Sequence, residues 1–310
     1  DGAGAVAERM SRPPLSFTTR AEALLVRGLI GLLRALPVTA ASRLGGAVTR
    51  MIGPLLPVTR KVGDANLRMA MPTLNAAQRQ AILRDVWTNL GQSIAELVRL
   101  RAMTRQPPGS TAPGYTLEGW EEHVLPHIVP GKPLLFFTAH IGNWEIMPLI
   151  AERSGVEFGF MYRAASNAAV DEILRGLRRD GYRSSVKMFA KGAAGGRAAL
   201  AHLRQGGALG LLVDQKLDTG LSVPFFGKPA MTMDALASFA LKFQCPVIPI
   251  HVERQGAARL HVVIEAPLPL PESGDRKADL LTLTGRMNQI VEGWVRAVSY
   301  THLRAHETVL

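Results

Sequence analysis

Beyond residue 133 the chain repeats one pattern: a short apolar run, a few turn residues, then a stretch of helical period. "PLLFFTA" precedes the helical "IMPLIAER", and "FGFMYR" precedes "AAVDEILRGLRRDG". "SVKMFA" fits a strand before the helix "GRAALAHLRQG", and "ALGLLVD" is followed by "ALASFALKF". "PVIPIHVER" and "RLHVVIEAP" read as later strands and "LLTLTGRMNQIVEGWVRAV" as a last helix. Parallel neighbours need long crossovers, so this alternation predicts an α/β fold. Its sheet is expected to be mixed but largely parallel and flanked by helices, with antiparallel pairing near the end.

The preceding part reads differently. Residues 21–36, "AEALLVRGLIGLLRAL", predict a helix ended by Pro37. Arg20, Arg27 and Arg34 fall seven apart among Leu, Val and Ile, the layout of an interfacial helix with arginines toward lipid phosphates. These charges leave no run near the ~20 apolar residues of a membrane span. The apolar "MIGPLLPV" at 51–58 adds to the membrane reading. Residues 76–103 predict a second helix, its core-facing stripe at Ile82, Val86, Leu90, Ile94 and Leu97 or Val98. "RQPPGSTAPG", 105–114, is a loop by Pro and Gly content. The expected organisation is a leader over 1–20, a helical membrane-associating region over 21–104, a catalytic domain over 115–298, and a tail over 299–310. The leader, small and polar, is expected to be disordered or non-native; the tail, "SYTHLRAHETVL", fits no periodic pattern and is expected to be non-native.

Lys and Arg outnumber Asp and Glu by 36 to 25, a net charge of +11. That sign favours anionic partners: nucleic acid, anionic lipid or an acidic carrier protein. With four Tyr, four Trp and no aromatic-and-basic RNA motif, no nucleic-acid partner is expected. The single cysteine, Cys245, excludes an internal disulfide framework and suits a small core residue in a reducing compartment. His123 and His127 flank Pro126, and neither HExxH nor a Cys cluster accompanies them, so no metal is expected.

"FFTAHIGNWEIMP", 136–148, carries the chemistry. Ligands bind beyond the carboxyl ends of strands in such sheets, and His140 stands at that edge. Five residues apart on one helix, His140 and Glu145 would diverge by about 140°. Cooperation needs a turn between them, which Gly142 permits and which Asn143, a good helix cap, would finish. Glu145 then falls in or just before the first helical turn, with Pro148 tolerated close behind. A neutral imidazole can take the proton of an attacking alcohol while a carboxylate on its other nitrogen fixes the tautomer. The chain holds no G-x-S-x-G elbow, which argues against a covalent acyl-enzyme of that kind. Spacing alone leaves purely structural roles for both residues open.

"TAHIGNWE" resembles the His-x4-Glu signature of the bacterial lipid A biosynthesis acyltransferases. Collinear blocks agree with that family, among them "LLRALPVTAASRLGG", "RKVGDANLRMAMPTLNAAQRQAILRDVWTNLG", "GGALGLLVDQKLDTGLSVPFFGKPAMT" and "GRMNQIVEGWVRA", over residues 24–298. The lauroyl-type members look most alike. The resemblance implies a glycerolipid acyltransferase-like fold, attachment at the cytoplasmic face of the inner membrane, and acyl carrier protein as donor. The acceptor would be an anionic glycolipid, a lipid A precursor hydroxyl, and no cofactor is implied. His140 would be the base and Glu145 its partner. The tail departs from the Trp-rich basic segment that family members carry there.

Beside that pair, Asn143, Arg163, Asp214, Gln215, Phe225 and Phe226 are expected to bind substrate. Arg163 ends the next strand, where a guanidinium could hold a phosphate or the developing oxyanion. Among the helix arginines Arg175, Arg178 and Arg179, most are expected to be solvated and one to bind phosphate. Asp214 could orient Arg163, meet the acceptor's head group or merely cap its strand. Phe225 and Phe226 could line an acyl groove or pack in the core. A lysophospholipid or other glycolipid acyltransferase using acyl-CoA or the acyl carrier protein, and a non-catalytic lipid- or carrier-binding protein, are the alternatives.

Overall fold

The computed structural model describes residues 17–153, 155–182, 186–215 and 220–297. Four helices come first: α1 (Phe17–Ala35), α2 (Val38–Ile52), α3 (Pro57–Ala70) and α4 (Ala76–Val98). Then follow β1 (Thr104–Arg105), β2 (Gly114–Glu118), the single turn α5 (Trp120–His123), β3 (Leu134–Thr138), α6 (Met147–Arg153), β4 (Phe158–Tyr162) and α7 (Ala168–Gly181). The chain continues through β5 (Lys187–Ala190), α8 (Ala193–Arg204), β6 (Ala208–Leu212) and the hairpin β7 (Leu221–Phe225) with β8 (Lys228–Thr232). It closes with α9 (Ala235–Phe243), β9 (Val247–Gly256), β10 (Arg259–Ile264) and α10 (Arg276–Ala297).

Eight strands form one sheet in the order β1, β2, β10, β9, β3, β6, β4, β5. Every pairing is parallel except that of β9 with β10. This is the mixed, largely parallel sheet the alternation demands. Alternate residues of the central strands feed two cores. Leu134, Phe136, Phe158 and Ala208 face α6 and α7, while Leu135, Phe137, Leu209 and Leu211 pack toward α8, α9 and α10. The hairpin β7–β8 stands apart and packs on α10.

The N-terminal helices pack against one another and against this body. α4 starts at a capping box: Asn75 accepts from the Gln78 backbone N–H at 3.0 Å, and the Gln78 side chain accepts from Asn75 N–H at 2.8 Å. Its buried face runs through Leu83, Val86, Asn89, Ser93, Glu96 and Leu97, whereas Ile94 is 45% exposed. Of the stripe read from the sequence, Val86 and Leu97 lie on this packed face and Ile94 lies off it, and half of the face is polar and hydrogen-bonded. α2 meets α4 at a glycine contact, where a Cβ on Gly91 would lie 2.1 Å from the Gly45 carbonyl oxygen. The strands at the ends of the 105–114 loop, β1 and β2, pair with each other.

No helix among the described residues is long and apolar enough to cross a membrane. α1 lies along α7, pinned by Asn167 Nδ2 donating to Glu22 at 2.7 Å and by Arg34 on Asp180 at 3.0 Å. Arg34 meets a protein carboxylate with half of its side chain still exposed; the Arg20 side chain lies outside the described residues. Helix α1 begins at Phe17, inside the expected leader, while residues 1–16 and the tail from 298 also lie outside them.

Candidate active site

Register builds the site. Adjacent parallel strands β3 and β6 align Thr138 with Leu212, and Val213 N–H continues the ladder to the Thr138 carbonyl at 3.0 Å. Two residues beyond that pair, His140 and Asp214 arrive side by side. Asp214 accepts from the His140 backbone N–H at 3.0 Å and lies 2.9 Å from Nδ1. An ionised carboxylate only accepts, so it fixes the proton on Nδ1 and makes Nε2 the acceptor nitrogen. The Asp214 side chain is sealed, whereas the His140 ring keeps 24% exposure, enough to meet a substrate. Trp144 stands edge-on to that ring, 4.8 Å between centroids.

The loop leaving His140 is locked from behind. Gly142 adopts φ +59°, and a Cβ there would lie 2.0 Å from the Val252 carbonyl oxygen. Only glycine tolerates both demands. Its own carbonyl accepts from Asn89 Nδ2 at 2.9 Å and Ser93 Oγ at 3.2 Å, both on α4. Asn143 is fully buried; its amide donates to Glu96 at 2.7 Å while its oxygen accepts from Glu145 N–H at 3.2 Å. It caps the short 3-10 turn Trp144–Ile146 that leads into α6. The turn expected from Gly142 and Asn143 is therefore present, but Asn143 faces the scaffold and is not among the cavity-lining residues.

That turn sends Glu145 to a different partner. Arg178 of α7 binds it through two nitrogens, Nη2 on Oε1 and Nε on Oε2, the latter at 3.1 Å. Tyr182 donates its hydroxyl to Oε2 at 2.8 Å. Burial alone would raise the Glu145 carboxyl, but the Arg178 charge and hydrogen bonds, helped by Tyr182 and His140, hold it below its ordinary value. Burial, then the Glu145 charge, pushes the Tyr182 phenol well above its ordinary value. The carboxylate on the imidazole is thus Asp214, from the neighbouring strand, and not the acid five residues on. Sequence spacing could not find it, because it depends on which strands are neighbours. Arg178 was legible only as one of three helix arginines, and Tyr182 carried no signal.

An apolar cavity of about 240 Å³ opens beside His140. Arg163 and Gln215, from the ends of β4 and β6, line it together with Arg178. Phe225 and Phe226 do not. Phe225 is buried in the core against α10, and Phe226 has its N–H on Glu292 at 2.6 Å and its ring under the Arg296 guanidinium. The hairpin carries both toward α10, leaving the cavity's aromatic lining to Phe136, Phe137, Trp144, Phe158, Phe160 and Tyr162. A base with an accepting nitrogen, an opposed carboxylate and an apolar slot suits proton removal from a hydroxyl beside a bound chain.

A comparison with curated proteins found no match. A family model described as bacterial lipid A biosynthesis acyltransferase matches residues 11–303, nearly the whole chain, and the protein belongs to that family.

Proposed function

We propose that the chain performs its family's acyl transfer with His140 as general base. The group moves from acyl carrier protein to a hydroxyl of a lipid A precursor at the cytoplasmic face of the inner membrane. An alcohol is a poor nucleophile at neutral pH; Nε2 of His140 takes its proton as the oxygen attacks the thioester carbonyl. Asp214 stabilises the imidazolium so formed. The new C–O bond closes as the C–S bond breaks, and the proton leaves with the carrier thiol. Glu145 acts on the cavity wall, holding the Arg178 guanidinium in place, while Arg163 and Gln215 meet the oxyanion or the acceptor's charged head. This chemistry calls for no cofactor. The single observation that carries the reading is the His140–Asp214 pair set at the mouth of an apolar cavity.

Membrane attachment is part of the proposal. Leu24, Leu25, Met51, Leu55 and Val58 stand 66–76% exposed on α1 and around the α2–α3 junction, an apolar display that suits insertion between lipid head groups. The excess of basic side chains suits both an anionic leaflet and an acidic carrier.

The test is acyl transfer by purified protein, with carrier-protein and coenzyme A thioesters as donors and a lipid A precursor or a lysophospholipid as acceptor. Transfer to the lipid A precursor from the carrier thioester is expected, falling about 100- to 10,000-fold in His140→Ala with folding retained. Undiminished transfer by that variant would remove the base from the mechanism, and preference for the lysophospholipid would reassign the substrate.

A further inference from the structure

The cavity beside His140 has an aromatic floor. The strands that line it do so only down to a definite level. Phe136, Gly210 and Phe160 are aligned across β3, β6 and β4. One step earlier on the same face, Leu134 and Ala208 are buried in the packed core and are not part of the lining. Phe158, from that lower level, leans its ring up and across β6. A Cβ on Gly210 would lie 2.6 Å from Phe158 Cζ, so the ring tip occupies the space a side chain there would take. The Phe136 and Phe158 ring centroids are 6.1 Å apart and tilted by 55°. Of the lining residues on these strands, these two rings and the bare Gly210 backbone lie farthest from His140, four residues down β3 or roughly 13 Å away.

We infer that Phe158, seated on Gly210, is the stop against which the acyl terminus rests, and hence the residue that determines acyl-chain length. The inference rests on the acyl-transfer reading above. Trimming the ring deepens the slot into the space it vacates. Adding a methyl at Gly210 drives the ring upward, because Leu134 and Ala208 fill the core behind it, and shortens the slot. A chain with one methylene too many or too few in an apolar pocket is discriminated by about 10- to 200-fold.

The experiment is a competition in one tube. An even-numbered ladder of saturated acyl thioesters, on carrier protein and on coenzyme A, is offered with a lipid A precursor, and products are resolved by mass spectrometry. Within-tube ratios do not depend on the fraction of variant that folds. Phe158→Ala, with Phe158→Leu as the milder variant, is expected to raise the ratio of the next longer product to the wild-type product at least about tenfold. Gly210→Ala is expected to move the ratio toward shorter chains. Unchanged ratios in both directions would overturn the stop while leaving acyl transfer intact. A second arm measures binding of free saturated fatty acids of the same ladder, and needs no catalysis. The length at which affinity stops rising should increase in Phe158→Ala; if wild type and variant break at the same length, the assignment is wrong, whatever the transfer assay shows.

Discussion

Two buried carboxylates flank the loop that carries His140, each held by an arginine, and they live in different surroundings. Behind the loop, Glu96 of α4 is fully buried and accepts from Ser42 Oγ, Asn143 Nδ2, the Ala258 backbone N–H and two nitrogens of Arg254, at 2.6–3.0 Å. Arg254 also donates to Asn89 and Ser93, the residues that hold Gly142. In front, Glu145 has Arg178 and Tyr182, and its guanidinium partner borders the cavity with 16% exposure. The same ion pair is a rivet where every lone pair is spent inside protein. Beside an opening it becomes part of a binding wall. Desolvation makes both pairs costly to break, but only the second can recruit solvent or substrate when one partner is lost.

The sharpest way to break this contrast is Glu96→Gln. It strands the Arg254 charge where solvent does not reach, and should destabilise the protein by about 3–5 kcal/mol in chemical denaturation. Glu145→Gln should cost less, about 1.5–3 kcal/mol, because Arg178 can turn toward the cavity. If the two variants lose equal stability, the distinction between sealed and open sides falls. Acid sharpens it further. The Glu145 carboxyl is depressed in the folded state, so its contribution is fully present above its unfolded value and lost as pH falls below about 4.3. Denaturant midpoints followed down in pH should fall more steeply for wild type than for Glu145→Gln. The smallest effect belongs to Ser93→Ala, which removes one of several bonds to the loop. It should cost about 1 kcal/mol of stability, and a loss several times larger would show that Ser93 carries the clamp alone.

Local signals were legible wherever the chemistry is carried by neighbours in sequence. Gly142 and Asn143 announced a turn after His140, and the turn is there because a positive φ and a side-chain cap are properties of two adjacent residues. The α4 stripe was legible only in part: Val86 and Leu97 are on the packed face, but burial in helices is inferred from apolarity, and this helix also buries Asn89, Ser93 and Glu96, all bonded to Arg254. The place of the hairpin phenylalanines was not legible for a related reason: their composition suits a groove and a core equally, and only the packing of β7 and β8 on α10 carries them away from the cavity beside His140.

By itself, then, the order of residues determined the α/β class, the family, and His140 at a strand's carboxyl end, since periodicity and contiguous motifs are set by bonds along the chain. Which acid meets the imidazole and where the cavity stops were decided by strand order, and which arginine meets Glu145 by the packing of α7. β6 rather than any nearer segment lies beside β3, and a sheet brings together residues 74 positions apart in sequence as readily as near neighbours.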